Sequence, residues 1–397
     1  MISLFINTLN NRLFLKESYR NTKKNNDKIS NIVILNEPIL QTDDILKKTL
    51  LFIPDISGFT RFVNDTEIIH GTHIVAELLE IIINNNSLGL KVAEIEGDAV
   101  FFYRVGEKPS IKDIYMQCEK MFIAFHQHIK LYERDRICDC GSCTHTPNLT
   151  LKFVVHYGNV IERKILGHLQ LMGPEVTTAH KLMKNNLEVH EYLLITENTF
   201  SKAVNEAQNW LTFTKGNSTY SDVGVINYSY AYLKELLAKV PNLPERKKLQ
   251  LNHPNIELEI TINTSLKAAY QMLISLERKK EWIVGIKEVK YDKSKIPRVG
   301  TEHECILPFN TLNIVTTENK VIDTKIIYAE SVIGSGFLPS SSQVFTLEPY
   351  NENEVKLSLD IFFNNSFINR LFFKEMMRKS FSKSLKNFKR ILEKGNI

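Results

Sequence analysis

Two aspartates stand where a divalent metal could be held. Residues 52–60 read Phe-Ile-Pro-Asp-Ile-Ser-Gly-Phe-Thr and residues 94–100 read Glu-Ile-Glu-Gly-Asp-Ala-Val, so Asp55 and Asp98 each follow a short strand-like run. Apolar, β-prone residues from 92 to 102, broken by Glu94, Glu96, Gly97 and Asp98, predict a hairpin with Asp98 in its turn. If the two strands are neighbours, both carboxylates project at one sheet edge. Hard oxygen ligands there suit Mg2+ or Mn2+, and such an ion could in turn hold a triphosphate. Taken singly, each aspartate also fits an N-cap or a turn.

A second cluster is Cys138-Asp-Cys140-Gly-Ser-Cys143, followed by His145. Three thiolates and an imidazole could close a tetrahedral zinc site, and the Gly-containing loop permits the turns this needs. Four donors within eight residues are packed more tightly than in a standard finger, and three unligated loop thiols fit the same residues. An odd total of five cysteines, with no signal-peptide pattern at the start, argues against a disulfide framework and for a cytoplasmic protein. Cys118 and Cys305 read as small core residues. His70 and His73 read as structural, because a histidine pair lacks a third ligand. His126 and His128, with no carboxylate on the same turn, read as solvated.

The two aspartate segments together resemble the class III nucleotide cyclase domain, over about residues 48–238. The resemblance implies an α+β, ferredoxin-like domain with Asp55 and Asp98 as its Mg2+ or Mn2+ ligands. It also aligns residues 173–182 with the helix that carries the family's transition-state residues. There Thr177 and Lys181 stand where the family has Asn and Arg. The spacing of four keeps both on one helical face, but Lys lacks the planar fork of Arg and Thr is a shorter donor than Asn. Glu94 falls at a base-reading position and is the residue type that guanylate-specific members use; Gln170 falls at the partner position. The resemblance further implies a head-to-tail homodimer that completes each site. Two functions follow from it. One is a degenerate or weakly active cyclase-like protein that binds nucleotide and metal. The alternative is an active cyclase that converts a purine triphosphate to a cyclic monophosphate under control of an apolar ligand.

The elements that must position these residues fall into an extension (1–47), a cyclase-like domain (48–240), a Pro- and charge-rich linker (241–255) and a second domain (256–397). Residues 21–28 are too polar to offset the entropy of ordering. The long helix predicted over 111–134 has Ile114, Cys118, Met121, Phe122, Phe125, Ile129 and Tyr132 on one stripe, which is core packing. A strand is predicted over 149–158 and a helix over 230–240. From 256 onward, a strand, short helices, several strands and a long helix (366–394) resemble the START-like, polyketide-cyclase-like helix-grip fold. That resemblance implies a cavity for an apolar small molecule beneath the last helix. Met377, Phe381, Leu385, Phe388 and Leu392 give this helix an apolar stripe, and its basic opposite face reads as solvated. The net charge of +5 over 397 residues is too mild to argue for nucleic acid, and no run of 18 apolar residues suggests a transmembrane segment.

Overall fold

The computed structural model describes residues 46–58, 68–197, 211–246, 253–333, 340–351, 353–363 and 370–394. The expected extension up to residue 45, Phe59 and Thr60 of the first motif, linker residues 247–252 and the last helix before Arg370 lie outside the described residues.

β1 (Lys47–Ser57) sits in the middle of the first sheet, paired antiparallel with β3 (Ala99–Val105) on one side and β4 (Thr150–Ile165) on the other. Side chains alternate across a strand, so Leu50, Phe52 and Ile56 point one way while Leu51, Ile53 and Asp55 point the other. Both faces are covered, which is why residues 50–53 read as an unbroken apolar run. On one face lie α1 (Ile68–Asn84) and α2 (Ile111–Asp135), whose Ile74, Leu78, Phe122 and Phe125 join Phe52, Phe102 and Phe153 in one core. Each such buried side chain contributes on the order of 1.5–3 kcal/mol. Ser110 starts α2 by accepting from the Asp113 backbone N–H, with the Asp113 side chain returning the bond as a capping box. On the other face, Ala179 and Leu182 of α4 (Pro174–Met183) pack with Leu51, Ile53 and Phe101.

The sheet order is β2-β3-β1-β4-β6-β8-β7, with β2 (Lys91–Glu96), β6 (Tyr192–Thr196), β7 (Thr214–Tyr220) and β8 (Gly224–Tyr232). The segment β1-α1-β2-β3-α2-β4 with strands in the order β2-β3-β1-β4 has the ferredoxin-like connectivity expected. Beyond it the chain departs from expectation. β4 runs on to Ile165 and forms an arm with β5 (His168–Met172), and β8 continues through Tyr232, leaving only a 3-10 turn at Lys234–Lys239 where a helix was expected. Tyr228, Tyr230 and Tyr232 favour the strand because aromatic residues pair well across a sheet.

The second sheet is antiparallel throughout, in the order β10-β11-β12-β13-β14-β15-β9. Its strands are β9 (Ile256–Asn263), β10 (Glu288–Lys290), β11 (Glu302–Ile306), β12 (Thr311–Ile322), β13 (Lys325–Ile333), β14 (Ser341–Asn351) and β15 (Glu354–Phe363). α5 (Leu266–Ile274) and α6 (Lys279–Trp282) follow β9, and α7 (Arg370–Lys394) lies along β9 and α6. Leu385, Phe388 and Leu392 of α7 are buried, and Phe388 meets Trp282 edge to face at 5.0 Å. Met377 and Phe381 pack beside them, so the stripe legible in the sequence is the face that docks.

The two sheets meet along the end of α2. The Val299 N–H donates to the Asp135 carbonyl (2.8 Å), Asn319 donates to the Arg136 carbonyl (3.1 Å), and the Tyr270 hydroxyl donates to the Ile137 carbonyl. Arg298 reaches Glu77 of α1 at 3.0 Å. Burial alone would raise the Glu77 carboxyl, but His128 and Arg298 hold it below its ordinary range. His128 is thus a partner of Glu77 at 2.9 Å, and His126 lies 2.7 Å from Glu191. Neither is solvated as expected, because their carboxylates come from other elements.

Candidate metal and nucleotide site

β2 and β3 form the expected hairpin, turning at Gly97-Asp98. Gly97 has φ +62°, a conformation that residues with a side chain rarely adopt. Asp55 pairs in register with Ala99, and the Ile56 N–H donates to the Asp98 carbonyl at 3.0 Å, so the two aspartates stand on adjoining strand ends. Asp55 is buried. Burial pushes its carboxyl up to about 6, Lys152 opposes this, and the neighbouring Asp98 pushes it up again. Burial also raises Asp98.

Lys152, opposite Asp55 in β4, places its ammonium 3.1 Å from Asp55 Oδ2 and 3.3 Å from the Met183 carbonyl. One ammonium faces two adjoining carboxylates, which leaves an uncompensated negative charge. Oxygen donors with spare charge are the kind that suit a hard divalent ion. Lys152 is a partner that Asp55 gains only from strand register. A charged residue inside the apolar run Leu151-Lys152-Phe153-Val154-Val155 was the signal that could have found it.

The remaining sequence candidates lie apart or are engaged within the chain. His180 of α4 sits 3.5 Å from both Glu94 and Glu96 and stacks on Phe101 at 4.6 Å. Burial raises Glu94, and Glu96 adds to it. Lys181 is ion-paired with Asp222 in the β7–β8 turn at 3.0 Å, and Thr177 is exposed one turn earlier. Gln170 is exposed on the β4–β5 arm opposite Arg163. The helix is pinned at its start by Glu175, 2.6 Å from His156 of β4, whose other ring nitrogen lies 2.9 Å from Thr196. Burial lowers His156 even though Glu175 favours its charged form. A Cβ at residue 158 would come within 2.5 Å of the Glu175 side chain, so this close approach needs Gly158.

Cys138, Cys140 and Cys143 converge on a histidine other than His145. Nδ1 of His70, on α1, lies 3.4 Å from Cys138 Sγ, 3.3 Å from Cys140 Sγ and 3.7 Å from Cys143 Sγ. His145 is an exposed residue whose Nδ1 is 2.7 Å from the Gly141 carbonyl. Cys143 and His145 sit two apart on the short helix α3 (Gly141–His145), and such residues do not share a face.

In the second half, a cavity of about 270 Å³ lies between α7 and the sheet. Ile283, Leu312, Ile314, Phe345, Met377 and Phe381 give it apolar walls, and Lys279, Glu330 and Gln343 a polar end. Lys279 bonds both oxygens of Glu330 and lies 2.8 Å from His303 Nε2; all three are buried.

Among the described residues, no helix is long and apolar enough to cross a membrane. A family model described as a protein of unknown function, DUF2652, matches residues 75–192. The chain is 38% identical over 125 residues to "Uncharacterized protein Rv2561/Rv2562" of Mycobacterium tuberculosis; the match covers 31% of this chain and 57% of that relative's length. Similar solved structures include a bacterial light-regulated adenylyl cyclase, with 17% identity and a TM-score of 0.35 over 50% of this chain and 100% of that one. The guanylate cyclase domain of RhGC from Catenaria anguillulae, in complex with GTP, shows 16% identity and a TM-score of 0.35 over 47% and 96%. The adenylyl cyclase CyaB from P. aeruginosa shows 18% identity and a TM-score of 0.33 over 48% and 95%.

Proposed function

We propose that the first half of the chain is a degenerate cyclase-like module that binds a nucleoside triphosphate through Mg2+ or Mn2+ at Asp55 and Asp98, without efficient cyclisation. The observation that carries this reading is the pairing of two adjoining, partly desolvated carboxylates with a single ammonium. A divalent ion there supplies the positive charge that a triphosphate needs. Asp55 and Asp98 would hold the ion, with Lys152 beside them, 3.1 Å from Asp55 Oδ2 and 3.3 Å from the Met183 carbonyl.

The case against efficient turnover rests on the other residues. Lys181, which the resemblance aligns with the transition-state position, is engaged by Asp222, and as a point charge it lacks the bidentate fork of Arg. Glu94, which would accept from a guanine edge, is instead drawn to His180. A head-to-tail dimer belongs to the same reading. Val92 and Ile95 on the edge strand β2, with Leu166 and Met172 on the β4–β5 arm, are exposed apolar residues that a second copy would cover. The second half we read as a START-like module, its 270 Å³ cavity taking a small apolar molecule whose polar end meets Lys279, Glu330 or Gln343.

Calorimetric titration of GTP and ATP into the chain, with and without Mn2+, tests the reading when paired with mass spectrometry for cyclic product. Mn2+-dependent binding with little or no product is expected. Binding that ignores Mn2+ overturns the metal site, and rapid product formation overturns the degenerate reading.

A further inference from the structure

We propose that His70, Cys138, Cys140 and Cys143 form a zinc site that locks the α2–β4 loop against both halves of the molecule, a role independent of nucleotide binding. The four ligand atoms lie within 4.8 Å of one another although one of them is about seventy residues away in sequence. Zn–S bonds of about 2.3 Å and Zn–N bonds of about 2.0–2.1 Å give tetrahedral N···S edges of roughly 3.5 Å. The three observed Nδ1···Sγ distances, 3.3, 3.4 and 3.7 Å, bracket that edge. Three soft thiolates and one imidazole suit zinc. A full set of four protein ligands leaves no open position, which marks a structural rather than a catalytic centre.

The surroundings support the site. The Cys143 N–H donates to Cys140 Sγ at 3.4 Å, a bond that stabilises a thiolate and orients it. Cys140 is also the N-cap of α3, so the helix holds Cys140 and Cys143 on one side. Residues 135–137, immediately before Cys138, supply the three carbonyls that accept from Val299, Asn319 and Tyr270 of the second half. An ion fixed at Cys138 therefore clamps a loop that directly follows residues bonded to the second half, while His70 ties it to α1. His70, Cys138 and Cys140 line a cleft of about 550 Å³, whereas Cys143 is fully buried.

The test is metal content of the full chain, purified in reductant without added metal and measured by mass spectrometry. One zinc per chain is expected, with X-ray absorption on the unmutated protein giving three sulfur neighbours and one nitrogen. Cobalt in place of zinc should give the intense visible bands of a tetrahedral thiolate site. Cys140→Ser and His70→Ala should each weaken zinc binding by more than the roughly 10–100-fold that loss of an outer-shell partner costs. His145→Ala should retain the ion. Folded protein that neither carries nor takes up zinc, or zinc lost with His145→Ala but kept with His70→Ala, overturns the site. Amide exchange at Val299 should rise when a chelator removes the ion; unchanged exchange overturns the clamp.

Discussion

Asp55 in the first sheet and Glu330 in the second are both buried carboxylates beside a lysine, yet burial pushes Asp55 up to about 6 whereas Glu330 lies below its ordinary range. The difference is in the number of partners. Burial would raise Glu330 too, but Lys279 bonds both its oxygens and the Tyr328 hydroxyl donates at 2.7 Å. Asp55 has Lys152 on one oxygen and a second carboxylate nearby. A buried anion whose donors are complete fixes a fold; one whose donors fall short is poised for a further cation.

The largest expected effect comes from breaking the complete set. Glu330→Gln leaves Lys279 as a buried, unpaired charge and should cost about 3–5 kcal/mol, read as a fall in denaturation midpoint. Since the Glu330 value is lowered on folding, its contribution is present above the unfolded value and is lost as pH falls through the folded one. A loss under about 1 kcal/mol would show that Glu330 and Asp55 are alike after all.

Asp55→Asn should act in the opposite direction. Its value is raised on folding, so in metal-free protein the carboxylate contributes most at low pH and less as pH rises through about 6. The Asn variant should be more stable than the parent by roughly 1–2 kcal/mol at pH 7 in a chelator, and no more stable near pH 4. The same variant should lose Mn2+-dependent nucleotide binding. Destabilisation at pH 7 would mean that the Lys152 pair outweighs burial.

Lys152→Gln sharpens the comparison further. Removing the built-in cation should tighten Mn2+ binding by up to roughly tenfold, about 1.4 kcal/mol, in a competition titration. Weaker binding would place Lys152 on the phosphates instead. The smallest effect should come from Thr177→Asn with Lys181→Arg, because Asp222 can hold Arg as it holds Lys. Cyclic product stays at background in that double variant, and a hundredfold rise would show that these two residues alone had been limiting.

What the sequence displays depends on how far apart the partners lie. Patterns within one element or one hairpin were legible: the α2 stripe from Ile114 to Tyr132, the hairpin that turns at Asp98, and the face of α7 built on Leu385 and Phe388. Groups of ligands within one loop were legible too, which is why Cys138, Cys140 and Cys143 stood out. Their fourth partner was not, because His70 arrives from a helix packed across α2, and only the packing of α1 on α2 and α3 selects it over the adjacent His145. Lys152 and His180 were hidden for the same reason. Each looks like an isolated charge along the chain, and strand register or helix docking makes it a neighbour of Asp55 or Glu94.

The central claim is that the Asp55–Asp98 edge binds a triphosphate through a divalent ion. Equilibrium dialysis of labelled GTP against the full chain, with Mn2+ or with a chelator, tests it most directly when run beside Asp55→Asn. Binding that requires Mn2+ and disappears in the variant is the expected result. Binding of equal strength in the chelator, or binding that the variant retains, would contradict it.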